Sequence, residues 1–183
     1  CVGDLNSSKV YACIGAILDR DPNDIRTALS KKGKLCSTGI ITVCHNIRAD
    51  LKTMLDILSG EFSDRMMASA QDPIDLIRDT VRPSKPANLA MADYAHIGKN
   101  LNLLRHYLDE ALNQNRAGVN ILVYGPPGTG KSELARLITE TCNASLYEVA
   151  SEDGDGDPVD GATRLRSYRA AMSFFAQHRA VVL

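Results

Sequence analysis

The 183-residue sequence contains no tryptophan, and only 5 % of its residues are aromatic. Its five cysteines are scattered without a C-x-x-C pair, which argues against a disulfide framework or a zinc ribbon and favours the reducing cytoplasm. No apolar run approaches the ~18 residues of a membrane span, so we expect no membrane partner. Neither sign of charge dominates, since 21 basic and 22 acidic residues leave a net charge of −1. Bulk charge therefore indicates no nucleic-acid surface.

The composition of 44 % hydrophobic and 23 % charged residues is typical of a globular protein, and the length suits one full domain or two small ones. The segment 82–88 carries two prolines and no hydrophobic periodicity, which is typical of a linker. We therefore predict a boundary near residue 87, with domains over 1–87 and 88–183. The first residue is Cys1 rather than Met, so we expect the chain to be an excised or processed piece.

The N-terminal half is predicted to be mainly helical. Hydrophobic periodicity predicts helices from Ser7, from Pro22 behind the N-cap Asp21, and over 47–58, while 35–43 has an extended pattern. Two helices followed by a strand can form a winged-helix-like unit, which would turn basic residues toward DNA phosphates. The basic residues are Lys31, Lys32 and Lys34. The alternative, which we favour, is that these lysines complement the dipole at a helix C-terminus and keep the surface soluble.

The most informative stretch is 125–132, GPPGTGKS, which fits the phosphate-binding pattern G-x-x-x-x-G-K-[ST] at every fixed position. Such a loop needs a buried strand before it and a helix after it, because its N–H groups must point toward an anion at the helix N-terminus. The apolar, β-branched run 119–124 predicts the strand, and the apolar face of 132–140 predicts the helix. Both flanks therefore support the motif.

The residue types of this loop suit a bound nucleotide. Glycines allow torsions and a close phosphate approach that a Cβ would obstruct. Lys131 supplies a mobile charge for the β- and γ-phosphates and is our predicted catalytic residue, while the Ser132 hydroxyl is the predicted Mg²⁺ ligand. The cofactors predicted are therefore ATP and Mg²⁺. The predicted nucleotide-binding residues of the loop and helix are Gly125, Pro126, Pro127, Gly128, Thr129, Gly130, Lys131, Ser132 and Glu133.

The rest of the chain continues an alternating pattern. Residues 144–150 alternate as a second strand, 151–161 form an acidic, glycine-rich loop, a helix follows with Leu165 and Phe175 facing inward, and 180–183 begin a third strand. We predict an α/β protein in which a mainly helical domain precedes a P-loop NTPase domain with a partial parallel sheet.

The segment GVNILVYGPPGTGKSELAR, residues 118–136, resembles the Walker A region of the AAA+ ATPases, and of the classical AAA branch in particular. The resemblance covers roughly residues 91–183. Upstream, Asp93–Gly98 is similar to the family's adenine-contacting segment, which implies that His96 and Ile97 line the base pocket. Members place an acidic Walker B pair, a sensor, an arginine finger and a helical lid after the third strand, which here would lie beyond Leu183.

This resemblance implies an ATPase that remodels or regulates a macromolecular partner, expected to be a protein, and that works as a homo-oligomeric ring. We expect the parent protein to hydrolyse ATP and this chain alone to bind ATP or ADP weakly. Two alternatives stay open. One is a DNA-binding regulator whose winged-helix-like N-terminal domain carries an NTPase module, and the other is a P-loop NTPase outside this family, such as a small-molecule kinase.

Overall fold

The structure is a computed structural model that describes residues 7–44, 54–68 and 72–183. Over these ranges the protein is mixed α/β. Its α-helices are α1 (Ser7–Leu18), α2 (Pro22–Ala28), α3 (Lys34–Ser37), α4 (Gly60–Met67), α5 (Gly98–Asn113), α6 (Lys131–Thr141) and α7 (Gly161–Phe174). Two 3₁₀ helices cover Pro73–Ile77 and Met91–Ile97. Its strands are β1 (Ile41–Val43), β2 (Leu55–Ile57), β3 (Val81–Pro83), β4 (Ser145–Val149) and β5 (Ala180–Val182). None of the described helices has the length and apolar character needed to cross a membrane.

The first helices and a two-stranded sheet form a small core. The Asp21 carboxylate accepts a hydrogen bond from the Asn23 N–H at 2.7 Å, and Pro22 occupies the first turn of α2, as the sequence predicts. Tyr11 of α1 packs with Ile25 and Leu29 against the pair β1–β2. The winged-helix-like arrangement of this unit stays a prediction.

Two local predictions in this half are wrong. Residues 34–37 form α3, so the predicted extended segment 35–43 is a strand only at its end. Residues 55–57 form β2, paired antiparallel with β1, where helical periodicity predicts a helix. The rest of that predicted helix over 47–53 lies outside the described residues. Pairing with β1 prevails at β2 because tertiary hydrogen bonds outweigh a weak local periodicity.

The second sheet has the order β3-β4-β5. The pair β4–β5 is parallel, as predicted, whereas β3 pairs antiparallel with β4 through Val81 opposite Val149. The sheet is therefore mixed rather than purely parallel. Arg82 and Pro83, which the sequence assigns to a linker, belong to β3. Pro83 is tolerated there because β3 is the edge of this sheet.

One of the core clusters joins the two halves of the chain. Phe62, Ile77 and Val81 pack against Ala171 and Phe175 of the C-terminal half. A second cluster holds α5 against α6 through Leu101, Leu108, Leu134 and Ile138. The division into domains 1–87 and 88–183 stays a prediction, but residues on its two sides share strand pairing and a hydrophobic core.

The predicted strand over 119–124 is wrong. None of the described strands pairs with this run, and Leu122 and Tyr124 are 86 % and 85 % exposed. An apolar cavity of about 560 Å³ lies between the run and β5, lined by Ile121, Val123 and Val181 among others. Because a strand exists only where a neighbour accepts its hydrogen bonds, β-branched composition alone does not form one.

A network of charged hydrogen bonds connects α6 to the second sheet. The Arg136 guanidinium donates to the Glu148 carboxylate of β4 at 2.7 Å and to the Ser84 hydroxyl at 3.0 Å, and Ser84 donates to Glu148 as well. Burial raises the pKa of Glu148, but the hydrogen bonds from Ser84 and Arg136 outweigh burial and leave this pKa below its ordinary value. Glu148 is therefore ionised in the folded protein at neutral pH.

We predict that the shared core is a main source of stability. Ile77→Ala empties a fully buried site and is expected to lower the free energy of unfolding by about 2–5 kcal/mol. The matched control is Ile17→Ala, since Ile17 is 74 % exposed and its replacement is expected to change stability by less than about 0.5 kcal/mol. Denaturant unfolding followed by circular dichroism measures both values. Equal losses in the two variants would contradict this packing.

We also predict a pH-dependent contribution from Glu148. Its pKa is lower in the folded than in the unfolded chain, so its contribution to stability is present above the unfolded value near 4.5 and is lost as the pH falls through the folded value. The stability difference between wild type and Glu148→Gln should therefore shrink as the pH falls from neutral through the folded pKa of Glu148. Ser84→Ala, which removes one donor to this carboxylate, should show a smaller change of the same sign. A difference that is constant with pH would refute the assignment.

Candidate nucleotide-binding loop

The loop 125–130 has the backbone that its glycines predict. Gly125, Gly128 and Gly130 have φ values of 151°, 78° and 78°, in the region that glycine adopts without steric cost. The Thr129 hydroxyl donates to the Pro126 carbonyl at 2.9 Å and closes the turn. Residues 125–129 are exposed, whereas Gly130 is partly buried where the loop enters α6. The loop is therefore fixed at its helical end and open to solvent elsewhere.

Lys131 and Ser132 are the first two residues of α6. The Lys131 ammonium donates to the carbonyls of Gly125 and Pro126, at 3.1 and 2.6 Å, so its charge lies against the first half of the loop. Ser132 follows in the same turn and is exposed. The N–H groups of a first helical turn have no intrahelical acceptor, and the helix dipole adds positive charge there. This end of α6 is therefore electrostatically suited to an anion.

Glu133 is occupied by contacts along the side of α6. Its carboxylate accepts the Asn88 N–H at 2.8 Å and a hydrogen bond from Arg136 at 2.5 Å. These hydrogen bonds, that of Asn88 foremost, lower the pKa of Glu133 and keep it ionised. Its predicted contact with a nucleotide stays a prediction.

The predicted base-binding residues end the 3₁₀ helix Met91–Ile97. Ile97 is half-buried against the cluster of α5 and α6, and His96 is exposed with its ring 6.5 Å from that of Tyr94. The Tyr94 hydroxyl donates to the Gly130 carbonyl at 2.8 Å, so this segment is attached to the loop. A role of His96 and Ile97 in holding adenine stays a prediction.

Sequence reasoning missed Tyr94 as a residue of the site. The signal was available, because a tyrosine in an apolar segment next to a glycine-rich loop needs a hydrogen-bond partner once it is buried. Sequence reasoning also missed Asn88, whose main hydrogen bond to Glu133 comes from its backbone N–H, and a backbone donor cannot be recognised from residue type.

In the described part of the chain, no group of three or more His, Cys, Asp or Glu side chains is placed to hold a metal ion. The residue predicted as a Mg²⁺ ligand is a single hydroxyl, Ser132, at the start of α6. In P-loop NTPases Mg²⁺ is held by a Ser or Thr hydroxyl of the loop together with an Asp and the nucleotide phosphates, and Ser132 would supply the hydroxyl of that set.

Comparison with known proteins points to the same region. Residues 121–177 match the model of the ATPase family associated with various cellular activities (AAA). A Methanocaldococcus jannaschii protein described as a homolog of a 26S proteasome regulatory subunit is 27 % identical over 107 residues, which are 58 % of this chain and 28 % of that relative. The chain therefore covers little more than a quarter of the relative's length. No solved structure matches the chain.

The matched residues include most of the loop's supporting structure. They take in Gly125, Gly128 and Gly130 with their positive φ angles, the Lys131 ammonium at the loop and the whole of α6. The family match and the loop geometry are separate observations on one segment of the chain. Together they show that residues 121–177 are similar to the AAA ATPase family, and the loop geometry within this segment agrees with that similarity.

Proposed function

We propose that the chain is the ATP-binding portion of an AAA+ ATPase that couples ATP hydrolysis to the remodelling or regulation of a macromolecular partner. The observation that carries the proposal is the loop that ends at α6, with glycines at positive φ and the Lys131 ammonium against its first half. ATP and ADP are the ligands proposed for this loop. The family match supports an ATPase, and the loop supplies groups suited to bind phosphates.

Three groups of the chain would hold the nucleotide. The first-turn N–H groups of α6 donate to phosphate oxygens, and Lys131 exchanges the carbonyls of Gly125 and Pro126 for the β- and γ-phosphates. The Ser132 hydroxyl would bind Mg²⁺, which neutralises charge between the phosphates when it is present. We expect this chain alone to bind ATP or ADP weakly.

The variant Lys131→Ala tests the proposed role of this lysine in nucleotide binding. Loss of a charge-assisted hydrogen bond costs about 1.5–3 kcal/mol, so we expect MgATP to bind about 10- to 100-fold more weakly in isothermal titration calorimetry. Lys32→Ala is the matched control, because Lys32 is exposed in the turn before α3, away from the loop. Circular dichroism checks that both variants are folded. Unchanged affinity in Lys131→Ala would refute the assigned role of this lysine.

The partner and the assembly belong to the same proposal. We infer a protein partner and a homo-oligomeric working form in the cytoplasm, supported by the family and by a relative whose description refers to the proteasome. The chain covers only 28 % of that relative, so these properties concern the whole ATPase.

A DNA-binding role is the second candidate, because Lys31, Lys32 and Lys34 are all exposed at the turn between α2 and α3. This candidate predicts binding of duplex DNA that weakens steeply with salt and is lost when the three lysines are replaced by alanine together. Fluorescence anisotropy at low and high salt measures it, with Lys131→Ala as the control that should retain binding. If wild type does not bind DNA even at low salt, the candidate is rejected.

A further inference from the structure

The segment 87–94 lies along α6 and is held there by hydrogen bonds. The Ala87 N–H donates to Glu140 near the C-terminal end of α6, and the Asn88 N–H donates to Glu133 in its first turn, both at 2.8 Å. The Leu89 side chain and the Tyr94 ring then reach the start of the helix at Gly130. The segment therefore runs along α6 from its last turn to the phosphate-binding loop.

Tyr94 makes the contact at the loop itself. It is 4 % exposed, and its hydroxyl donates to the Gly130 carbonyl at 2.8 Å. Burial is the main cause that raises the pKa of Tyr94, and the carboxylates of Glu133 and Asp93 raise this pKa further. The hydroxyl is therefore protonated at neutral pH and able to donate this hydrogen bond.

The Gly130 carbonyl oxygen accepts two hydrogen bonds. It accepts the Tyr94 hydroxyl and also the Leu134 N–H at 2.8 Å, which is the first hydrogen bond of α6. A trans peptide is planar, so the C=O of Gly130 and the N–H of Lys131 lie in one plane and point in opposite directions. Fixing the carbonyl of Gly130 therefore fixes the direction of the Lys131 N–H, one of the unpaired donors of the first turn.

We propose that Tyr94 is a positioning residue for the phosphate-binding loop. Its hydroxyl holds the Gly130 carbonyl in place. The Lys131 N–H, on the opposite side of the same peptide, is thereby directed toward a bound phosphate. This inference rests on the proposed function, because it assigns a role in binding phosphates at the same loop. Tyr94 acts through Gly130 and does not touch the nucleotide.

The test compares two ligands in Tyr94→Phe, which removes the hydroxyl and keeps the ring. Calorimetry should show that MgATP and inorganic tripolyphosphate with Mg²⁺ both bind about 3- to 10-fold more weakly than to wild type, the effect of one hydrogen bond. Tyr107→Phe is the matched control, since Tyr107 lies on α5 and is 46 % exposed. It should bind both ligands as wild type does.

Two results would overturn the proposal. Weaker binding of MgATP with unchanged binding of tripolyphosphate would mean that the hydroxyl contacts the base or the ribose. A lower melting temperature with both dissociation constants unchanged would mean that Tyr94 serves stability alone.

A measurement without ligand tests the role of Tyr94 independently of whether the chain binds nucleotide. In hydrogen exchange, the Leu134 amide of Tyr94→Phe should exchange about 3- to 10-fold faster than in wild type, because its acceptor is less firmly held. The Cys142 amide, bonded to Ile138 at the other end of α6, should be unchanged. Unchanged exchange at Leu134 would refute the positioning role. If wild type bound neither MgATP nor tripolyphosphate, the proposed function would fail while the exchange data still decided the role of Tyr94.

Discussion

The Gly130 carbonyl is the acceptor on which the site depends. It receives the first hydrogen bond of α6 from Leu134 and the buried hydroxyl of Tyr94, so the helix start and the preceding loop meet at one peptide. Its left-handed backbone lets the chain turn from loop to helix within that residue. A Cβ at Gly130 would lie 2.9 Å from the Tyr94 hydroxyl oxygen, so this position is closed to larger residues by contact as well as by torsion.

The loop also depends on parts of the protein far from it in sequence. Arg136 holds α6 to β4, and Asn88 holds it to the segment that follows β3. β3 in turn contributes Val81 to a core built from both halves of the chain. The candidate nucleotide-binding loop is therefore supported by residues that precede the family match as well as by those within it.

The parts of the fold that short-range chemistry determines could be predicted from the sequence. The positive φ angles of Gly125, Gly128 and Gly130 and the helix α6 follow from local residue pattern, and the parallel pair β4–β5 follows from the strand–helix–strand order. Pairing is not local, so the strand expected at 119–124 and the linker that contains β3 were wrong. The residue type of Tyr94 signals a need for a hydrogen-bond partner, but that partner is 36 residues away and the sequence does not show which carbonyl it is.

The shared core has a consequence for synthesis on the ribosome. Phe62, Ile77 and Val81 leave the exit tunnel well before their partners Ala170 and Phe175, which follow about 90–110 residues later. At roughly 5–20 residues per second, this delay is on the order of 5–20 s. During that interval the apolar side chains of the first half lack their final cover, which is the condition under which nascent chains engage chaperones. The protein therefore completes this core only when α7 and Phe175 have emerged.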